Sequence, residues 1–102
     1  MKGKLVQPKA IGLLRLDVTD DRMRDEQVIG DLARQGGYAF AGLLTIQPDT
    51  YMPTTLVVHT VHKVQAAAIV TPDLAHFGGA ARAVSLVCEL VTPRGTVPRS
   101  SR

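Results

Sequence analysis

The residues of this chain that could do chemistry fall into a few small constellations. Asp17, Asp20, Asp21 and Asp73 flank two apolar runs, and carboxylates gathered at one edge of a sheet can hold Mg²⁺ or accept a phosphoryl group. The competing explanations are local. Asp20 and Asp21 suit a helix N-cap, Asp73 suits a turn, and no lysine stands on a late strand to complete a phosphoacceptor site. His59 and His62, spaced i, i+3, share a helical face and could join His76 or Cys88 on zinc, although two histidines also suit a solvated face. The lone Cys88 reads as a buried thiol, and Ser85 lies in a helical pattern without a nucleophile elbow. Gly36-Gly37 and Gly78-Gly79 match no phosphate-binding loop. Arg15 could hold an anion, and an internal ion pair with Asp17 serves it equally well. The expectation is therefore no metal, no cofactor and no catalytic residue.

The elements that must position these residues alternate between strand and helix. Ala10 to Val18 is an apolar run with one basic residue before Asp17, as in a strand buried on both faces. Thr19, Asp20 and Asp21 offer caps to a helix running to about Gln35, with Val28, Ile29, Leu32 and Ala33 as its inner stripe. Gly36-Gly37 stops it, and Tyr38 to Ile46 is a second strand. Residues 54–65 are β-branched enough for a strand, but Pro53-Thr54-Thr55 looks like a helix start. Alternation also demands a crossover there, so a helix is expected. Ala66 to Thr71 is a third strand, Pro72 to Gly79 a loop, and Ala80 to Val91 a helix with Val84, Val87, Cys88 and Val91 on one face. A final short strand at Thr96-Val97 would be at best an edge, because Pro98 follows it.

The predicted fold is α/β: a small three-layer parallel sheet with helices on both faces and a flavodoxin-like strand order, placing 10–18 between 39–46 and 66–71. Sites in such folds lie beyond the carboxyl ends of the strands, here at Asp17 to Asp21 and Pro72 to Gly79. The division expected is a flexible basic arm at 1–9, one domain at 10–97 and a basic tail at 98–102. Hydrophobic residues make up 45% and charged ones 21%, which is globular, and the four aromatics include no Trp, so the core must be aliphatic. The net charge of +3 is unevenly placed: between Ala10 and Pro93 there are 6 basic and 9 acidic residues. Lys2, Lys4 and Lys9 at one end and Arg94, Arg99 and Arg102 at the other are the candidate DNA contacts, on arms rather than on a basic body. No early stretch has signal-peptide form and no run approaches a membrane span, so the expected location is cytoplasmic.

The run Gly12-Leu13-Leu14-Arg15-Leu16-Asp17 resembles the first motif of the resolvase/invertase-type serine recombinases, Gly-Tyr-x-Arg-Val-Ser. Gln27, Leu32-Ala33 and Gly37-Tyr38 are similar to that family's first helix and its exit, and Ala66 to Gly79 to its third strand and following motif. The resemblance covers residues 10–97. It implies a resolvase-like fold and puts Asp17 at the position of the nucleophilic serine. It also puts Ala75, His76 and Gly79 where the family has an aspartate and two arginines, with no arginine near Tyr51-Met52. Of the catalytic set Arg15 survives. Phosphodiester exchange needs a nucleophile and several guanidinium groups, and a carboxylate at 17 repels phosphate. Arg15, Asp17, Asp73 and His76 then form a vestigial site, and the chain is expected to be a non-enzymatic module.

Such a module is expected to act through protein contacts or regulation, as a homodimer or with an unidentified partner. The alternatives are an accessory DNA-associated regulator using the basic arms, with weak non-specific binding, or a cation or phosphoacceptor site at Asp17. The surplus of apolar residues in 80–91 nominates Leu86 and Leu90 as the interface.

Overall fold

A computed structural model describes residues 7–100. The element order is β1 (Lys9–Arg15), α1 (Arg22–Gln35), β2 (Ala39–Ile46), α2 (Pro53–Val64), β3 (Ala66–Val70), a 3₁₀ turn (Leu74–Phe77), α3 (Ala81–Val84), β4 (Glu89–Thr92) and β5 (Gly95–Val97). The strands form one sheet in the order β2-β1-β3-β4-β5, parallel except for β5, which runs antiparallel to β4. The expected placement of the first strand between the second and third is present.

β1 is an interior strand, apolar on both faces. Ala10 and Leu14 meet Ile29 and Ala33 of α1, while Ile11 and Leu13 meet Val57 and Val61 of α2. Helix α1 therefore covers one face, and α2 with α3 the other. α1 starts where Asp21 accepts a hydrogen bond from the Arg24 N–H at 3.1 Å, and the chain turns out of it through Gly37 at φ 77°. Gly12 lets α1 approach closely, since a Cβ there would lie 2.6 Å from the Ile29 Cγ2. On the same face the Tyr38 hydroxyl donates to Glu89 at 2.8 Å, tying the start of β2 to the start of β4. α2 overrides its β-branched composition because Val57 and Val61, one turn apart, are buried together, and Pro53 fits its first turn.

The structure corrects the segment 80–91. Its helix is a single turn, Ala81–Val84, and Glu89–Thr92 is a parallel strand beside β3. Leu90 faces the α2 side and Val91 the α1 side, so the surplus of apolar residues belongs to a strand buried on both faces. Leu90 is 0% exposed and cannot be an interface residue, whereas Leu86, in the turn before β4, is 45% exposed. β1 also ends earlier than expected, at Arg15. The N–H groups of Val18 and Thr19 turn back onto the Arg15 carbonyl, so Asp17 belongs to a turn.

Two assignments of basic residues to arms are likewise corrected. Lys9 opens β1, and Arg94 lies in the tight connection between β4 and β5. Because β4 runs parallel to β1, the start of β1 and the end of β4 put these two residues at opposite edges of the sheet. Arg99 is exposed beyond β5, and the adjacent Ser100 N–H donates to the Ser85 carbonyl at 2.8 Å. Lys2, Lys4 and Arg102 lie outside the described residues. Among the described residues no helix is long and apolar enough to cross a membrane.

Candidate functional site

The carboxyl edge of the sheet is shaped by an inequality of length. The ladder between β1 and β3 ends at Gly12↔Val70, but β1 continues three residues further. The polar backbone of that overhang must be satisfied from elsewhere. Two side chains do so. The buried Thr71 hydroxyl donates to the Leu13 carbonyl at 2.9 Å, and the Arg15 N–H donates to the Nδ1 of His76 at 2.8 Å. His76 is 3% exposed and sits in the 3₁₀ turn, whose start is capped by Asp73 accepting from the Ala75 N–H at 2.8 Å. To accept that bond His76 must be neutral at Nδ1. Burial lowers its pKa, against the opposing pull of Asp25, Asp73 and Asp17.

The Arg15 side chain turns outward over Gly78, where an added Cβ would lie 3.1 Å from a guanidinium nitrogen. Gly78 has φ 63°, so glycine serves both the turn and the close approach. The Arg15 Nε donates to Asp17 Oδ1 at 3.1 Å, with side-chain exposures of 23% and 42%. An open cleft of about 410 Å³ lies beside this pair, lined by Arg15, Pro53, Thr54, Phe77, Gly78 and the residues up to Ala80. Arg15 is the one basic side chain among those lining residues. The cleft can accept a polar or anionic group by exchange with the Asp17 carboxylate.

Of the four residues that the resemblance groups, Arg15 bonds both Asp17 and His76, and Asp73 caps the turn that carries His76. Asp21 caps α1, and Asp25 is buried and accepts from the Thr19 hydroxyl at 2.5 Å. Among the described residues no group of three His, Cys, Asp or Glu side chains is placed to hold a metal ion. His59 and His62 are exposed on α2, while Cys88 is buried beside β4, and burial pushes its thiol up to about 11. Ser85 is buried, its hydroxyl donating to the Arg82 carbonyl at 2.7 Å.

Sequence reasoning missed the apolar residues around this edge. Tyr51 is 85% exposed and Met52 53%, on the connection from β2 into α2. Met23 in the first turn of α1 and Leu74 in the 3₁₀ turn are exposed as well. All four stand on connections leaving carboxyl ends of strands. The available signal was the pair Tyr51-Met52 just ahead of Pro53, in a loop where a large apolar residue has no core to fill. Met52 also adopts the left-handed conformation, with φ 48°. Comparison of the chain with family models, curated proteins and solved structures yields no significant match.

Proposed function

We propose that the chain is a non-catalytic domain, resolvase-like in plan, that works by binding a protein partner at the carboxyl edge of its sheet. The observation that carries this reading is the engagement of Arg15. Its backbone is held by His76 and its guanidinium by Asp17, at the position where the resemblance places a nucleophilic serine. A recombinase centre needs a reactive oxygen and several guanidinium groups around a phosphate. Here a carboxylate and a single arginine stand beside the cleft, and Tyr51, Met52, Met23 and Leu74 surround that edge with exposed apolar surface. Exposed aromatic and methionine side chains around a polar centre suit a protein contact.

Two measurements test the proposal. Incubated with supercoiled DNA and then denatured, the protein should yield neither nicks nor a covalent protein–DNA adduct. Restoring serine at Asp17 alone should not change that. A photo-crosslinking residue at Tyr51, introduced in the native cells, should give one discrete adduct that the same residue at Leu86 does not give. A covalent DNA adduct, or identical crosslinking from both positions, would overturn the reading.

The DNA-associated alternative has one observation in its favour. β5 runs antiparallel, so the chain leaves the sheet at the amino edge, the same edge at which it enters β1. Lys9 and Arg99 therefore share that edge. Arg94 does not, and removing residues 1–8 and 98–102 should abolish any salt-sensitive DNA binding without unfolding the domain.

A further inference from the structure

We propose that β2 is the seam of a homodimer, in which two copies of this chain pair their β2 strands antiparallel across a two-fold axis and join their sheets into one. This surface is the lateral edge of the sheet, distinct from the carboxyl edge, and goes beyond the reading above.

β2 is hydrogen-bonded on one side, to β1. The Ile46 carbonyl accepts from the Leu16 N–H at 2.9 Å, so it points inward, and strand alternation turns the N–H and C=O groups of Leu43 and Thr45 outward. Edge strands in natural proteins are normally guarded by charges, prolines or short length. β2 has eight residues, and neither a charge nor a proline occurs from Gly36 to Gln47. The opposite edge is guarded in all three ways: β5 has three residues, between Arg94 and Pro98-Arg99. The one irregularity in β2 is a bulge at Ala41-Gly42, and the register from Leu43 to Ile46 is regular. Phe40, 48% exposed, is the large apolar side chain on this strand left facing solvent.

Charge selects a second copy as the occupant. Lys9 is exposed at the amino end, paired in register with Ala39, and Asp49 is exposed just past the carboxyl end. Neither takes part in an ion pair among the described residues. Antiparallel pairing of identical strands brings the Asp49 end of each copy to the Lys9 end of the other. The contact is thus made twice by one self-complementary surface.

Light scattering of the full chain at micromolar concentration tests this, with twice the monomer mass expected. Ala41→Lys charges the exposed edge, and Thr45→Pro removes an outward N–H while leaving the bonds to β1. Each should raise the dimer dissociation constant about tenfold or more, with unchanged far-UV circular dichroism. Should Thr45→Pro fail to fold, Ala41→Lys decides. Tyr51→Ser, at the carboxyl edge, should leave the mass unchanged. A monomeric wild-type chain, or a dimer indifferent to Ala41→Lys, would overturn the proposal.

Discussion

The first and last strand–helix–strand units of this sheet do the same topological job by different means. Between β1 and β2 stands a 14-residue helix with a side-chain cap and a buried stripe. Between β3 and β4 the chain makes a 3₁₀ turn and a single α-helical turn, and its order comes from individual bonds: Asp73 to Ala75, Ser85 to Arg82, His76 to Arg15. A long amphipathic helix spreads its stability over many weak contacts. A compressed connection concentrates it in a few specific ones, and those lie at the carboxyl edge where the cleft opens. The economical crossover is thus also the one that builds the candidate site.

The sharpest way to break this contrast is at Leu90. If 80–91 were a surface helix, Leu90→Ala would be mild. As a strand residue with no exposed surface it should cost about 2–5 kcal/mol in denaturant unfolding. Leu86→Ser should stay within about 0.5 kcal/mol. Equal effects at the two positions would contradict β4. In the first unit the close approach of α1 is the vulnerable point. Gly12→Ala drives a methyl against Ile29 and Leu43 and should destabilise by about 1–3 kcal/mol. The double variant with Ile29→Val should recover part of that loss, and a neutral Gly12→Ala would mean that the helix stands further off.

The smallest and most local effect concerns His76. Its folded pKa lies below the ordinary value of about 6.5, so the unfolded chain takes up the proton more readily. The stabilisation from neutral His76 is complete above that ordinary value and is lost as pH falls through the lowered folded value. His76→Phe should remove this acid-side slope and cost about 1–3 kcal/mol at neutral pH, because the Arg15 N–H loses its acceptor. Amide exchange at Arg15 should accelerate in the variant while exchange at Ile29 does not. An unchanged slope would show that another group titrates.

Apolar runs and punctuation located β1, α1, β2 and β3, with β1 expected three residues too long. Continuous apolar runs marked buried strands, Thr19 to Asp21 marked a helix start and Gly36-Gly37 its end, while α2 came from Pro53 and the need for a crossover. The same reasoning failed at 80–91 because Val84, Val87, Cys88 and Val91 fit a helical face as well as they fit one turn, a bend and a short buried strand. Only the open side of β3, waiting for a partner, separates the two, and that is a property of the assembled sheet. Thr71 and His76 were illegible as ladder substitutes for a related reason: their backbone partners lie 58 and 61 residues away. The Arg15–Asp17 pair was legible because it is local, and Leu90 was misplaced because its surroundings are not.

The bond from Tyr38 to Glu89 has an optical consequence. The chain contains no tryptophan and two tyrosines, so its intrinsic emission comes from Tyr38 and Tyr51 alone. Tyr38 is half-buried at the amino edge with its hydroxyl on a carboxylate, and burial with that bond pushes its pKa up to about 12. Tyr51 stands in solvent at the carboxyl edge. The unlabelled protein thus carries one fluorophore at each end of its sheet, one open to a collisional quencher and one sheltered. Emission lost to the quencher follows events at the cleft, and emission that resists it follows the closure of the sheet from β2 to β4.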